Sequence, residues 1–310
     1  MVSLEVNCYY QKNAIIDNKS KMKKCDNDTI MELILSFAQK NNLIRCVILN
    51  GSRASPSAES DMFQDYDLVY LVNEVEPFIS DQSWISAFGE ILIMQTPDLM
   101  DKKWSLNKHK FTFLILFKDW NRIDLTFQTP DTFLAKPLDS QSKLLLDKDN
   151  LFENFPIPSD KDYLPKPPSQ KQFKDCCNEF LWVSTYVAKG LWRKQLIYAK
   201  HMAEQNVKEK LIELLVWHAG GNSQFGRSLG GYNKYLHQYL EPELWDKFCQ
   251  TYVDADFEHI WEGLFKMFEL FNDVALKIAQ TYQFDFNQTE FDLVVAYLQK
   301  VKELSKGDDL

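Results

Sequence analysis

The sequence predicts an α+β (mixed α/β) protein: a mixed sheet domain with helices comes first, an α-helical C-terminal domain second. Three observations carry this expectation. Short apolar runs of strand length crowd the first half, at residues 47–49, 67–72, 91–94, 111–117 and 122–127. Five prolines, Pro156, Pro158, Pro165, Pro167 and Pro168, interrupt the middle at a density that a helix interior does not tolerate. From residue 173 to about 281, apolar residues recur at helical spacing. A chain of 310 residues, 45% hydrophobic, is long enough for two modest cores.

The elements follow in order. Residues 1–27 are polar and irregular and read as a flexible arm. Ile30, Leu33, Ile34, Phe37 and Ala38 then recur at helical spacing, with Asp28 placed to cap the helix. Residues 47–49 form a strand that ends at Asn50-Gly51, and a loop containing Pro56 follows. Residues 67–72 read as a buried strand, 78–88 as a helix, and 91–94 and 111–117 as further strands. Lys118-Asp119-Trp120-Asn121 supplies a hairpin turn, from which residues 122–127 return. The predicted boundaries are a sheet domain at 28–155, a Pro-rich linker at 156–169, a helical domain at 170–299 and flexible termini at 1–27 and 300–310. Within the helical domain, Gly220-Gly221 to Gly230-Gly231 reads as a loop between helices, and residues 291–298 as a last helix.

Composition narrows the partners. The net charge of −9 repels polyanions, so no nucleic acid partner is expected and a cationic small molecule is the better electrostatic match. No apolar run reaches the roughly 20 residues that span a bilayer, and the first ten residues lack the pattern of a signal peptide. A cytoplasmic, monomeric protein without a membrane partner is the resulting expectation. The six cysteines form no CxxC pair and read as free thiols of a reducing compartment. The five histidines are isolated and read as structural.

The chemistry concentrates in the first half. Gly51-Ser52-Arg53 lies fourteen residues before Asp65, and Asp65-Tyr66-Asp67 opens an apolar strand. Residues i and i+2 of a strand point to the same face, so Asp65 and Asp67 can aim at one spot. Asp124 heads a comparable run, and if its strand neighbours the first, three acids converge. Such crowding needs a compensating cation, and Mg²⁺ suits hard oxygen ligands that are completed by phosphates. Gly51 permits a tight turn close to a phosphate, and Ser52 can donate its hydroxyl and N–H there. Arg53 can reach the same phosphates or brace the acids. The P-loop pattern and GxGxxG are both absent. Three acids and a Gly-Ser turn without a nucleophilic triad point to nucleotidyl transfer.

In the second half, Asp175 and Glu179 lie one turn apart on the first predicted helix. Either they flank a surface helix, or they bind a cationic substrate, or Glu179 accepts the proton of the attacking hydroxyl in place of Asp124. Lys189 is the first choice to neutralise a leaving pyrophosphate, because Gly190 beside it leaves room for a ligand. Trp182 and Tyr186 line a cleft or pack in the core.

Several blocks together resemble the aminoglycoside 6-adenylyltransferases, also called streptomycin adenylyltransferases, a branch of the polymerase-β-like nucleotidyltransferases. They are Gly51-Ser52-Arg53, Phe63-Gln64-Asp65-Tyr66-Asp67, Arg122-Ile123-Asp124-Leu125-Thr126 and Lys143-Leu144-Leu145-Leu146-Asp147-Lys148-Asp149. In the second half they are Cys176-Cys177-Asn178-Glu179-Phe180, Val187-Ala188-Lys189-Gly190-Leu191-Trp192-Arg193-Lys194 and Gly230-Gly231-Tyr232-Asn233-Lys234-Tyr235. The resemblance implies an N-terminal nucleotidyltransferase sheet and a helical substrate-binding domain. It also implies AMP transfer from ATP to a hydroxyl of streptomycin, with Mg²⁺ and release of pyrophosphate. By the same resemblance Asp65, Asp67 and Asp124 are the catalytic metal-binding acids, and Gly51 and Ser52 hold the triphosphate. The wider superfamily carries a second glycine soon after Gly-Ser, where Ser55-Pro56-Ser57 stands here. The competing readings are transfer to another aminoglycoside or hydroxylated metabolite, and a catalytically inactive nucleotide-binding regulator on the same scaffold. A template-directed polymerase is disfavoured by the acidic balance.

Overall fold

The computed structural model describes residues 27–100 and 108–304. The arm at 1–26, with Cys8 and Cys25, and the tail at 305–310 lie outside the described residues. The chain divides into two compact units, Met1–Ser159 and Asp160–Leu310.

The first unit is a six-stranded mixed sheet. Its strands are β1 (Ile44–Asn50), β2 (Tyr66–Val72), β3 (Ile91–Gln95), β4 (Lys110–Phe117), β5 (Arg122–Gln128) and β6 (Ser142–Asp147). The spatial order is β3-β4-β5-β2-β1-β6. Only β2 and β5 pair in parallel, with Tyr66 opposite Ile123 and Asp67 opposite Asp124. The other four pairings are antiparallel. Alternation along β2 separates its two faces. Tyr66, Leu68, Tyr70 and Val72 join the larger core, together with Ile30, Ile34 and Ala38 of α1 (Asn27–Lys40). Tyr70, fully buried, donates its hydroxyl to the Ile34 carbonyl at 2.9 Å, which ties the helix to the sheet. Val69 and Leu71, on the face of Asp67, join a smaller cluster with Cys46 and Ile48. Leu144, Phe133 and Phe152 pack on that cluster, and Asp67 and Asp124 lie on the same face of the sheet.

Asp28 sits in the first turn of α1 and does not cap it; its favourable place is toward the positive end of the helix dipole. The helix expected at 78–88 is broken into Glu76–Ser80 and a 3₁₀ turn at Ser83–Ala87. The break has a local cause: Asp81 Oδ1 accepts the Ser83 N–H at 2.9 Å, an Asx turn that competes with helix continuation. Strand β6 was not anticipated as a strand.

The second unit is helical: α2 (Gln170–Trp192), α3 (Leu196–Met202), α4 (Lys208–Asn222), α5 (Pro242–Cys249), α6 (Phe257–Tyr282) and α7 (Gln288–Glu303). Helix α2 starts at a capping box: the Ser169 hydroxyl accepts the Gln172 N–H and the Gln172 side chain accepts the Ser169 N–H. Its buried face packs on α6, where Phe180 stacks on Phe271 at 3.8 Å. Gly220 and Gly221 belong to α4 rather than to the loop expected there. Phe225 folds back over Gly220, and a Cβ at Gly220 would stand 2.5 Å from its ring, so the glycine serves a close contact and not a turn. Helix α7 runs through Glu303, so residues 300–303 are helical. Cys46, Cys176 and Cys177 are buried free thiols, and Cys249 is exposed. Among the described residues no helix is long and apolar enough to cross a membrane.

Phe127 of β5 stacks on Phe78 at 4.1 Å and meets Trp84 and Tyr70 edge-on. Phe127→Ala is expected to cost about 3–5 kcal/mol. Urea unfolding should show a lower midpoint with an unchanged slope.

Candidate active site

The acids owe their positions to strand pairing. Asp67 and Asp124 lie directly opposite each other on β2 and β5, so both side chains leave the same face of the sheet. Asp65 stands two residues before Asp67, just ahead of β2. On the other side of β2, Asn50 at the end of β1 is opposite Asp67. The chain then turns at Gly51–Arg53, a single 3₁₀ turn. Gly51 has φ +70, and a Cβ there would lie 2.3 Å from Asp67 Oδ2. Glycine is therefore required twice, for the left-handed backbone and for the carboxylate lying against it. The turn is pinned from β6: Gly51 N–H donates to the Gln141 carbonyl at 3.1 Å, and the Ser142 hydroxyl to Asn50 Oδ1 at 2.8 Å. Ser52 lies at the middle of the turn.

Arg53 is turned toward the acid loop. Its Nε donates to the Asp65 carbonyl at 3.0 Å and its Nη2 to the Gln64 carbonyl at 2.7 Å. Its guanidinium lies 3.8 Å from the centre of the buried Tyr66 ring, and Nη1 reaches Asn27 Oδ1 at 3.3 Å. Of the two roles open to Arg53, these bonds serve bracing.

Arg122 was absent from the expected site residues. It forks onto Asp124, with Nε to Oδ1 at 2.8 Å and Nη2 to Oδ2 at 2.7 Å, and its Nη1 is 3.5 Å from Asp65 Oδ2. The signal was present in the sequence: Arg122 and Asp124 are i and i+2 on one strand, hence on one face. Gln141 and Ser142 carried no such signal, because only the β1–β6 register brings them to the turn.

Asp67 bears the electrostatic load. Burial, and then the charges of Asp124 and Asp65, push its carboxyl up to about 6, against the pull of Arg122 and Arg53. The donor set, carboxylate oxygens alone, suits a hard divalent cation, and the strain on Asp67 is what such an ion would relieve. The residues thus fit the ion in chemistry. Among the described residues, however, no three His, Cys, Asp or Glu side chains form a ready metal cage. A guanidinium, not a third ligand, faces Asp124.

In the helical unit, Asp175, Glu179, Trp182, Tyr186 and Lys189 follow one another at steps of four, three, four and three residues, one stripe of α2. Trp182 is not a core residue, whereas the half-buried Tyr186 packs against the helical core. Trp182 is 59% exposed and donates its indole N–H to the Tyr186 hydroxyl at 2.7 Å. Lys189 Nζ sits 5.6 Å from the Tyr186 ring centre. The room expected beside Gly190 is filled: Tyr198 and Ala199 of α3 would lie 2.9 and 3.2 Å from a Cβ there. Asp175 is bound by Lys171 at 2.5 Å. Asp175 and Glu179 line a cavity of about 390 Å³ with Gln172, Cys176, Lys210 and Glu213.

A mixed sheet that presents paired carboxylates beside a Gly-Ser turn, ahead of a helical unit, is the arrangement of a nucleotidyltransferase. Residues 23–301 match the streptomycin adenylyltransferase family. The chain belongs to that family of nucleotidyltransferase enzymes. It is 37% identical to an aminoglycoside 6-adenylyltransferase of Campylobacter jejuni over 85% of this chain and 91% of the relative. It is 34% identical to one of Bacillus subtilis (strain 168), over 81% and 89%. It is also similar to a crystal structure of an aminoglycoside 6-adenyltransferase from Bacillus subtilis. That similarity is 30% identity over 90% of this chain and 100% of that one, with a TM-score of 0.44.

Two expectations follow from the geometry. Because the folded protein holds Asp67 above its ordinary value of 3.8, the site stabilises the fold fully below pH 4 and loses that contribution as pH rises through about 6. Asp67→Asn should therefore stabilise the cation-free protein above pH 6, by up to about 3 kcal/mol. The gain should shrink toward zero near pH 4, as read by melting in chelator across that range. Gly51→Ala should cost about 1–2 kcal/mol from its left-handed backbone. In an Asp67→Ala background the cost should be smaller, because the clash is with the Asp67 carboxylate. A double-mutant cycle by urea unfolding measures that coupling.

Proposed function

We propose that this enzyme transfers AMP from ATP to a hydroxyl of streptomycin and releases pyrophosphate, with Mg²⁺ as its cation. The observation that carries the reading is Asp67 paired with Asp124 across β2 and β5 and lying against the Gly51 turn, in a chain of this family. Asp65, Asp67 and Asp124 hold the cation, which when bound supplies charge neutralisation at the triphosphate. Gly51 and Ser52 cradle the phosphates, since the turn has no side chain at Gly51 to keep them away. Arg53 serves them indirectly by holding the loop of Asp65.

The streptomycin guanidinium groups are cations, and the carboxylates of Asp175 and Glu179 match them in charge. The exposed ring of Trp182 and the half-buried ring of Tyr186 add flat apolar area to the same stripe. In the reaction, the hydroxyl oxygen bonds to the α-phosphorus as the bond from that phosphorus to the pyrophosphate oxygen breaks. The hydroxyl proton passes to a carboxylate, Glu179 or Asp124. Lys189 offsets charge on the departing pyrophosphate. Use of ATP fits a cytoplasmic site of action.

The test is a panel of single aminoglycosides with purified protein, ATP and Mg²⁺, read by pyrophosphate release and a mass gain of one AMP. Product with streptomycin is expected. Product only with another aminoglycoside would move the acceptor, and no product with any would remove the activity. Asp65→Asn and Asp67→Asn should each lower turnover by at least about 10³-fold in folded protein. Glu179→Gln should lower kcat with ATP binding preserved if Glu179 is the base; unchanged turnover leaves Asp124 in that role.

A further inference from the structure

The two arginines of the sheet site are held in different ways. The Arg53 guanidinium is fastened to fixed structure: two main-chain carbonyls, the Asn27 side chain and the face of Tyr66. Every side-chain bond of Arg122 among the described residues goes instead to a carboxylate of the acid set, two to Asp124 and a longer one to Asp65. Arg122 opens β5 and its side chain is 43% exposed, so it can leave without disturbing the core. Asp124, by contrast, is 17% exposed and fixed in the β2–β5 ladder.

We propose that Arg122 is the resident counter-cation of the acid set, and that a divalent ion is taken up there only as the guanidinium gives up Asp124. Arg122 thereby sets the metal affinity of the site. The physical case is competition. A guanidinium fork occupies one lone pair on each Asp124 oxygen and brings a positive charge to a carboxylate that a divalent ion would need. Two cations on one carboxylate repel, so ion binding and the fork exclude each other. Without either cation, three carboxylates would face one another across two strands, which burial makes costly. The arginine therefore holds the site together until an ion replaces it. An incoming anionic ligand such as a triphosphate offers the released guanidinium a new partner, so nucleotide and metal should each strengthen the binding of the other.

This inference rests on the proposed cation role of Asp65, Asp67 and Asp124, and the experiment separates the two. Mn²⁺ binding to intact protein without nucleotide is followed by the loss of the free-ion electron paramagnetic resonance signal, a readout independent of turnover. Circular dichroism melting checks each variant for folding. Arg122→Met is expected to bind Mn²⁺ about tenfold more tightly than the unaltered protein, because one positive charge has left the ion's surroundings. Arg122→Lys cannot fork both oxygens and should show a smaller gain of about twofold; it also serves if the methionine variant does not fold. Adding Asp67→Asn to Arg122→Met should remove the gain. Equal or weaker Mn²⁺ binding by the arginine variants, with binding by the unaltered protein intact and sensitive to Asp67→Asn, would overturn the counter-cation role alone. No Mn²⁺ binding by any of these proteins would overturn the cation role of the acids and this inference with it.

Discussion

The parallel ladder between β2 and β5 is the constraint on which the site depends. It is the one parallel pairing in a six-stranded sheet, and it sets Asp67 opposite Asp124. A slip of one residue would send one carboxylate into the aromatic core of Tyr70 and Phe127. The register is held by that core, since alternate residues of both strands are fully buried on the face away from the acids. The acid face is therefore specified by apolar packing behind it. The carboxylates repel one another, and the sheet tolerates them because the opposite face leaves no other register.

The same arrangement divides labour between charged groups. Arg53 stiffens the loop that carries Asp65 by binding main-chain oxygens. Arg122 neutralises side chains. Asp67, buried beside the charges of Asp124 and Asp65, is pushed up to about 6. The turn at Gly51 lies against that carboxylate, so a left-handed glycine and the acid pushed up furthest share one boundary. In the helical unit the logic is that of a helix with one buried and one exposed face. Residues 173, 176, 177, 180, 183 and 187 build the core, and the stripe from Asp175 to Lys189 remains exposed or half-exposed. Trp182 is exposed and donates its indole N–H to Tyr186, four residues on, whose half-buried ring packs against the helical core.

Much of this was legible in the linear chain. Strands β1 to β5 announced themselves as apolar runs, and α1 and the long helices by their period. Asp65 and Asp67 were readable as a same-face pair from spacing alone. Local competition defeated the reading where it failed. An Asx turn at Asp81 split one expected helix, and Gly220, expected in a loop, lies in a helix with Phe225 folded back over it. Gly190 was read as open space, but α3 fills it.

Residue spacing determined the element types, the paired acids and the need for a glycine at position 51, because period and backbone conformation are local properties. Family membership was equally written in the order of residues. Only the folded chain decided that β5 lies beside β2, that β6 pins the Gly51 turn and that Arg53 bonds the main chain at Gln64 and Asp65. The strand neighbours depend on pairings between segments far apart in sequence, and strand order and register are selected by burying the whole apolar face at once, a sum that no short stretch contains.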